Sequence, residues 1–305
     1  MRELQGKVAF ITAGVSGLGL GIAKALAQAG VRLALSYRNS AHRDAAAEWF
    51  AATEHEAPLM LQLDVRDRAA FAATAVQVER HFGNVHLLVN NAGVSVFGPT
   101  DAATYADYDW IMGVNFGGVV NGLVNFLPRM KAHGEGGHVV NVASMAAYLS
   151  GPQAGIYTAS KFAVRGLTES LRYNLSPHGI GVSLMCPGLT RTNAWNSALG
   201  RPVEFADTGL GPVDPAQLQA FGGAFELGMD PDVVGRKTVE GIRENRAVIF
   251  SHPEFADDFR EIYEASVAAL PVEPVPEGRA HLEQLRREAN RAAANGRLTG
   301  PGDLG

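Results

Sequence analysis

The sequence predicts an α/β fold: one doubly wound sheet of parallel strands with helices on both faces. Three observations predict it. Apolar runs of strand length alternate with helical patterns over most of the 305 residues. Those runs are continuously apolar rather than alternating, as strands buried on both faces are. Polar residues at 14–19, 64, 90–93, 144 and 187–192 each follow the end of such a run, where ligands of parallel sheets bind. Regular strand–helix alternation also implies right-handed crossovers.

Taken in order, residues 7–12 form the first strand and residues 17–29 a helix with Ile22, Ala23, Leu26 and Ala27 on one face. Gly30 supplies its left-handed stop. Residues 31–37 are the second strand, 41–54 a helix, 59–64 the third strand, 68–82 a helix and 85–90 the fourth strand. One long helix covers 105–131, followed by a strand at 138–144, a helix at 157–176 and a sixth strand at 181–186. Residues 193–230, rich in Gly, Pro and Asp, break the rhythm and read as a long loop with one or two short helices over the site. A helix at 231–245, a strand at 247–251 and a helix at 253–268 complete a single catalytic domain, 1–270. Residues 271–305 form a C-terminal extension: a helix with Leu282, Leu285, Ala289 and Ala292 on one face, then a mobile tail, TGPGDLG.

Bulk properties narrow the function. A net charge of −5 lacks the basic footprint of a nucleic-acid partner. The single cysteine, Cys186, excludes an internal disulfide and fits a reducing compartment. The N-terminus has no long apolar core, and no uninterrupted apolar stretch approaches the ~18 residues of a membrane span. The expectation is a soluble cytoplasmic protein without a membrane partner. Nine histidines show no H-x-x-x-H spacing, so no metal site is expected.

Ser144, Tyr157 and Lys161 form S-x12-Y-x3-K. Tyr157 and Lys161, four apart on a helix, point the same way. An ammonium beside a phenol favours the phenolate and lowers its pKa, and such a tyrosine takes a proton from an alcohol or returns one to an alkoxide. Ser144, ending a strand, is placed to hold the substrate oxygen. Asn115, a polar residue in an apolar helix, is a candidate to carry a water toward Lys161. The stretch TAGVSGLG, between the first strand and the first helix, puts Gly17 and Gly19 where a pyrophosphate approaches a helix N-terminus. Ala13 stands where a first glycine belongs, with Gly14 directly after it, and is expected to keep a negative φ.

With these residues in view, the chain resembles the short-chain dehydrogenase/reductase family over residues 5–265. TAGVSGLG, LDV at 63–65, NNAG at 90–93, VN at 114–115, Ser144, YTASK at 157–161 and PG at 187–188 carry the resemblance. It implies a Rossmann-type dinucleotide fold and a tyrosine-dependent hydride transfer. It assigns Tyr157 as acid/base, Lys161 to the nicotinamide ribose and to tyrosine activation, Ser144 to substrate orientation and Asn115 to a proton relay. It gives the cofactor Gly14, Ser16, Gly17, Leu18 and Gly19 in the turn, and Asp64 and Val65 at the adenine. Asn91, Ala92 and Gly93 would line the cleft, and Pro187, Gly188, Thr190 and Thr192 would face the nicotinamide. Dimers or tetramers built through the two long helices are also implied.

A narrower resemblance, in the helix from residue 104, in residues 228–255 and in the extended C-terminus, is to the benzylic (Cα) alcohol dehydrogenases of lignin-dimer breakdown. It implies a bulky aryl-bearing secondary alcohol or its ketone, with Met145 and Trp195 lining the pocket. Phe205, Phe221 and Phe225 fit the same apolar cover. At the end of the second strand, where an acidic residue would mark NAD(H), stand Tyr37 and Arg38. No carboxylate repels a 2′-phosphate there, so NADP(H) is the preferred cofactor and NAD(H) a possible one. Two other readings remain open: a reductase of carrier-bound or polyketide-like 3-oxoacyl groups, and a non-catalytic nucleotide-binding regulator.

Overall fold

A computed structural model describes residues 1–211 and 215–294. It contains one seven-stranded sheet in the order β3-β2-β1-β4-β5-β6-β7, with every pairing parallel. The strands are β1 Val8–Ile11, β2 Arg32–Tyr37, β3 Leu59–Gln62, β4 Leu87–Asn90, β5 Gly137–Val142, β6 Ile180–Cys186 and β7 Val248–Phe250. Several are shorter than their apolar runs, because residues such as Thr12 and Ser144 have already turned into the functional loops. The chain winds outward through β2 and β3, then returns to place β4 on the other side of β1. The switch point of the sheet therefore lies between β1 and β4, above their carboxyl ends.

β1 shows how one strand serves two cores. Val8 and Phe10 face one hydrophobic cluster, while Ala9 and Ile11 face another, the alternation expected of a strand. The first cluster packs Phe10 against Phe126 at 4.7 Å between ring centroids and Phe71 at 6.0 Å. The second packs helix α1, Gly17–Gln28, through Ile22 and Leu26 beside Val234 and Ile242 of α8, Pro231–Arg243. Helices α2 Ser40–Ala51 and α3 Arg68–Phe82 complete the crossovers of the first half. Both begin at a side-chain cap, Asn39 to Ala41 N–H and Asp67 to Ala70 N–H.

The long helix expected from residue 105 is not one α-helix. It runs as α4 Tyr105–Met112, a π-helical segment Gly113–Gly117, and α5 Gly118–His133. A capping box between Thr104 and Asp107 starts it. Residues 105–133 have the length of a membrane span, and an 18-residue window within them reaches a mean hydropathy of 1.3. Trp110, Ile111, Phe126 and Met130 are nonetheless buried against the sheet, which makes it a core helix. Helix α6, Gly155–Leu175, packs alongside and begins two residues earlier than the sequence suggests.

Residues 193–211 cross the carboxyl ends of the strands as two short 3-10 turns, Asn193–Gly200 and Val203–Phe205, before α7, Pro215–Phe225. The side chain of Phe221 lies outside the described residues. Two helices follow β7: α9, Ala256–Ala268, and α10, Glu277–Ala294. The apolar face expected on α10 is only partly used: Ala293 is buried, whereas Leu282 is 65% and Leu285 38% exposed. The tail after residue 294 lies outside the described residues.

Candidate active site

The turn after β1 is held by Ser36 of β2 and by Asn91, just past β4. Ala13 donates its N–H to the Ser36 hydroxyl at 3.0 Å, and Gly14 donates to the Ser36 carbonyl at 3.0 Å. Asn91, just past β4, gives its side-chain amide to the carbonyls of Thr12 at 3.0 Å and Ala13 at 3.3 Å. These bonds overturn one expectation. Ala13 has φ +50°, in the left-handed region, rather than a negative value. Both of its peptide groups are fixed by distant partners, so local preference loses. Gly19 fills the remaining space: a β-carbon there would overlap the Ala13 carbonyl and stand 2.5 Å from Asn91 Nδ2.

The same turn fits a pyrophosphate. Gly17, at φ +50°, opens α1, and the Ser16 side chain does not cap the helix. The first-turn N–H groups and the positive end of the helix dipole thus meet no acidic residue of the first turn. Leu18 is half-buried in the same turn. Thr192 lies across from it; a β-carbon on Gly17 would stand 3.3 Å from Thr192 Cγ2.

At the far end of the cleft, Ser144 leaves β5 and its hydroxyl accepts the Ala146 N–H at 3.1 Å. Tyr157 and Lys161 project from the first turns of α6, with Lys161 Nζ 5.6 Å from the Tyr157 ring centroid. The Tyr157 phenol is hydrogen-bonded by the hydroxyls of Ser144 and Ser95. Burial is the strongest influence on it and pushes its pKa up; the two hydroxyls pull it down without cancelling that cost. The lowering expected from Lys161 is therefore not what this arrangement gives: burial raises the phenol, and what lowering there is comes from the two hydroxyls. Lys161, itself buried, is lowered to about 8 and donates to the Val142 carbonyl at 3.3 Å.

Asn115 sits within the π-helical segment, a feature frequent at functional sites. Both of its amide hydrogens are committed. Oδ1 accepts the Val94 N–H at 2.8 Å, and Nδ2 donates to the Val94 carbonyl at 3.1 Å and to Ser160 at 2.9 Å. The same side chain locks the loop after β4. A β-carbon on Gly93 would stand 3.3 Å from Asn115 Oδ1 and 3.4 Å from Lys161 Nζ, so the three converge. Ala92 N–H donates to the Thr12 hydroxyl at 2.9 Å, tying this loop to the glycine turn.

Ser95 and Phe97 were not legible in the sequence. Ser95 donates its N–H to the Ser197 hydroxyl at 3.1 Å, joining the loop after β4 to the covering segment. Phe97 lies 5.7 Å from the Tyr157 ring between centroids, and Met145 is buried behind Ser144. Trp195 packs against α7, where a β-carbon on Gly222 would stand 2.9 Å from its ring. The segment is fastened by a buried hub. Asp107 accepts from the Thr208 hydroxyl at 2.7 Å, the Gly209 N–H at 3.0 Å and Arg201 at 2.7 Å. Burial pushes the Asp107 carboxyl up, but these bonds and the Thr104 N–H outweigh it and hold its pKa below the ordinary carboxylate value.

At the carboxyl end of β2, Arg43 stacks on Tyr37, 5.5 Å from the ring centroid, and reaches its hydroxyl at 3.4 Å. Arg38 donates to the Gly200 carbonyl at 3.1 Å. Both oxygens of Asp64 accept from Arg66, at 2.6 to 3.1 Å, and Arg66 also pairs with Glu204 at 3.1 Å. Val65 is buried, and its carbonyl accepts from Asn121 at 2.8 Å. Among the described residues no His, Cys, Asp and Glu cluster suits a metal ion.

Comparison with known proteins adds independent weight. Residues 7–200 match the family model of the short chain dehydrogenases. A C alpha-dehydrogenase of Sphingobium sp. (strain NBRC 103272 / SYK-6) is 36% identical over 97% of this chain and 98% of its own. A short-chain dehydrogenase from Novosphingobium aromaticivorans superposes with a TM-score of 0.83 at 36% identity, covering 98% of this chain and 100% of its own. A short chain dehydrogenase/reductase from Burkholderia phymatum in complex with NAD gives a TM-score of 0.80 at 33% identity, covering 90% and 100%.

Proposed function

Because the chain belongs to the short-chain dehydrogenase family and is an alcohol–carbonyl oxidoreductase, we propose that it interconverts a bulky, aryl-bearing secondary alcohol and its ketone with NADP(H). One observation carries the reading: the Tyr157 phenol stands between two hydroxyls, with the buried Lys161 ammonium beneath it. A dinucleotide held along the cleft from the glycine turn to Tyr157 would supply, at its nicotinamide, the hydride acceptor or donor.

The chain's own residues do the rest. In alcohol oxidation Tyr157, as phenolate, takes the hydroxyl proton while the carbon loses hydride; in ketone reduction the phenol returns that proton to the oxygen. Ser144 holds the reacting oxygen. A charged Lys161 favours the phenolate. Lys161 is buried and Tyr157 half-buried, so the phenolate relies on the Ser144 and Ser95 hydroxyls for part of the hydration it loses.

The aryl preference is supported by Phe97 over the Tyr157 ring, by Met145 behind it and by the likeness to a C alpha-dehydrogenase. The nucleotide preference is supported by the absence of a carboxylate at position 37 and by the Arg38 and Arg43 guanidiniums beside it. Following nicotinamide absorbance with propiophenone and with NADPH or NADH tests both. Faster turnover with NADPH is expected. Equal or better rates with NADH would defeat the nucleotide assignment, and turnover of a 3-oxoacyl thioester in place of the aryl ketone would defeat the substrate assignment.

A further inference from the structure

The loop leaving β6 joins the two ends of the cleft. The Pro187 carbonyl accepts the N–H of Met145, the neighbour of Ser144, at 2.9 Å, while Thr192 faces Gly17 of the glycine turn. A dinucleotide that runs from that turn to Tyr157 passes along this loop. Between its ends the loop is gripped by a residue that the chemistry above does not use.

His252 follows β7 and is buried. Its Nδ1 accepts the Gly188 N–H at 3.0 Å, and its Nε2 meets the Leu189 carbonyl at 2.8 Å. A main-chain N–H only donates, so Nδ1 is bare and Nε2 carries the hydrogen that Leu189 accepts. One rigid ring thus fixes the 187–188 and 189–190 peptide groups, one on each side of the 188–189 peptide. The approach is close: a β-carbon on Gly188 would stand 2.8 Å from His252 Cγ, which explains the glycine of the PG pair. Ser251 Oγ lies 2.7 Å from Nδ1, and Lys237 donates to the Ser251 carbonyl at 2.5 Å, so the histidine is itself anchored. From the opposite side Met229 donates to the Leu189 carbonyl at 2.9 Å, and Arg191 pairs with Asp230 at 2.6 Å.

We propose that His252 is a positioning residue of this oxidoreductase, whose neutral ring sets the Gly188 and Leu189 peptides to receive the nicotinamide end of the cofactor beside Tyr157. This rests on the dinucleotide reading of the cleft. It predicts a loss confined to one end of the nucleotide, which a general weakening of the fold would not produce.

The test compares two ligands by calorimetric titration: NADPH, and 2′-phospho-ADP-ribose, which lacks only the nicotinamide. In His252→Ala the NADPH Kd is expected to rise about tenfold or more, while the fragment Kd stays within about twofold of native. His252→Asn, which offers an amide oxygen near the place of Nδ1, is expected to recover part of the loss. Equal losses for both ligands, or no loss for either, would overturn the role. If the alanine variant does not fold, His252→Asn decides alone. A loss of NADPH affinity without a fragment loss then supports the role, and equal behaviour of the two ligands overturns it. Native protein that binds neither ligand would instead refute the cofactor reading itself.

Discussion

The N–H of Ala13 donates to the Ser36 hydroxyl at 3.0 Å, and that bond helps hold an alanine at φ +50° in the nucleotide turn. A non-glycine residue in the left-handed region costs about 1–2 kcal/mol, partly offset here because alanine has less freedom to lose on folding. Ala13→Gly is therefore expected to raise stability by up to about 1 kcal/mol, seen as a Tm increase of about 2–3 °C. Ser36→Ala removes the partner of the Ala13 N–H and is expected to cost about 1–3 kcal/mol. A lower Tm for Ala13→Gly would contradict this account of the turn.

Ser95 favours the Tyr157 phenolate, and its backbone is fixed by Ser197. Ser95→Ala removes a bond to the charged form, so the kinetic pKa of alcohol oxidation moves upward and the rate below it falls. Ser197→Ala should move the profile in the same direction by less. Stopped-flow pH profiles with 1-phenylpropan-1-ol measure both; an unmoved profile in Ser95→Ala would remove the serine from the acid–base group.

Asp107 and Arg201 form an ion pair with side chains 0% and 11% exposed, at the hub that fastens the covering segment. Asp107→Asn leaves the buried guanidinium without its counter-charge, a loss of about 3–5 kcal/mol for a pair of this kind. Limited proteolysis is expected to cut variant protein between residues 200 and 211, with KM for the aryl substrate raised more than kcat is lowered. Native-like protease resistance would contradict the hub's role. The Asp107 pKa is held low, so its stabilisation is present above the unfolded carboxylate pKa and is lost as pH falls through the folded one.

Lys161 carries the opposite sign. Burial lowers its pKa from 10.5 to about 8, so its charged form costs stability below pH 8 and this cost disappears as the unfolded lysine also deprotonates near 10.5. Lys161→Met is expected to be inactive yet more stable than native at pH 7, and its advantage should shrink by about 3 kcal/mol between pH 8 and 10.5. Urea denaturation at several pH values measures the difference. A constant gap across that window would place the lysine in a more solvated site than the structure gives.

The sheet, its crossovers and the Ser144–Tyr157–Lys161 set were legible because they rest on local signals: apolar runs, helical spacing and residue types at strand ends. What escaped was decided by partners distant in sequence. Ala13 takes a positive φ because Ser36 and Asn91 bind its peptide groups, which no preference of alanine reveals. The π-helical segment holds Asn115, whose side chain grips Val94 across a loop. The sign of the Tyr157 shift depends on how deeply the phenol is buried, and spacing says nothing of depth. Ser95 and His252 look like ordinary loop residues, since their hydrogen-bond partners lie 102 and 64 residues away.

The proposed reaction requires the Tyr157 hydroxyl to carry the proton that accompanies hydride transfer. Tyr157→Phe removes that one oxygen and leaves the ring beside Phe97. With NADPH and propiophenone, the variant is expected to bind the nucleotide within about twofold of native while kcat falls by about 1,000-fold or more. Turnover within about tenfold of native, at unchanged nucleotide affinity, would contradict the claim.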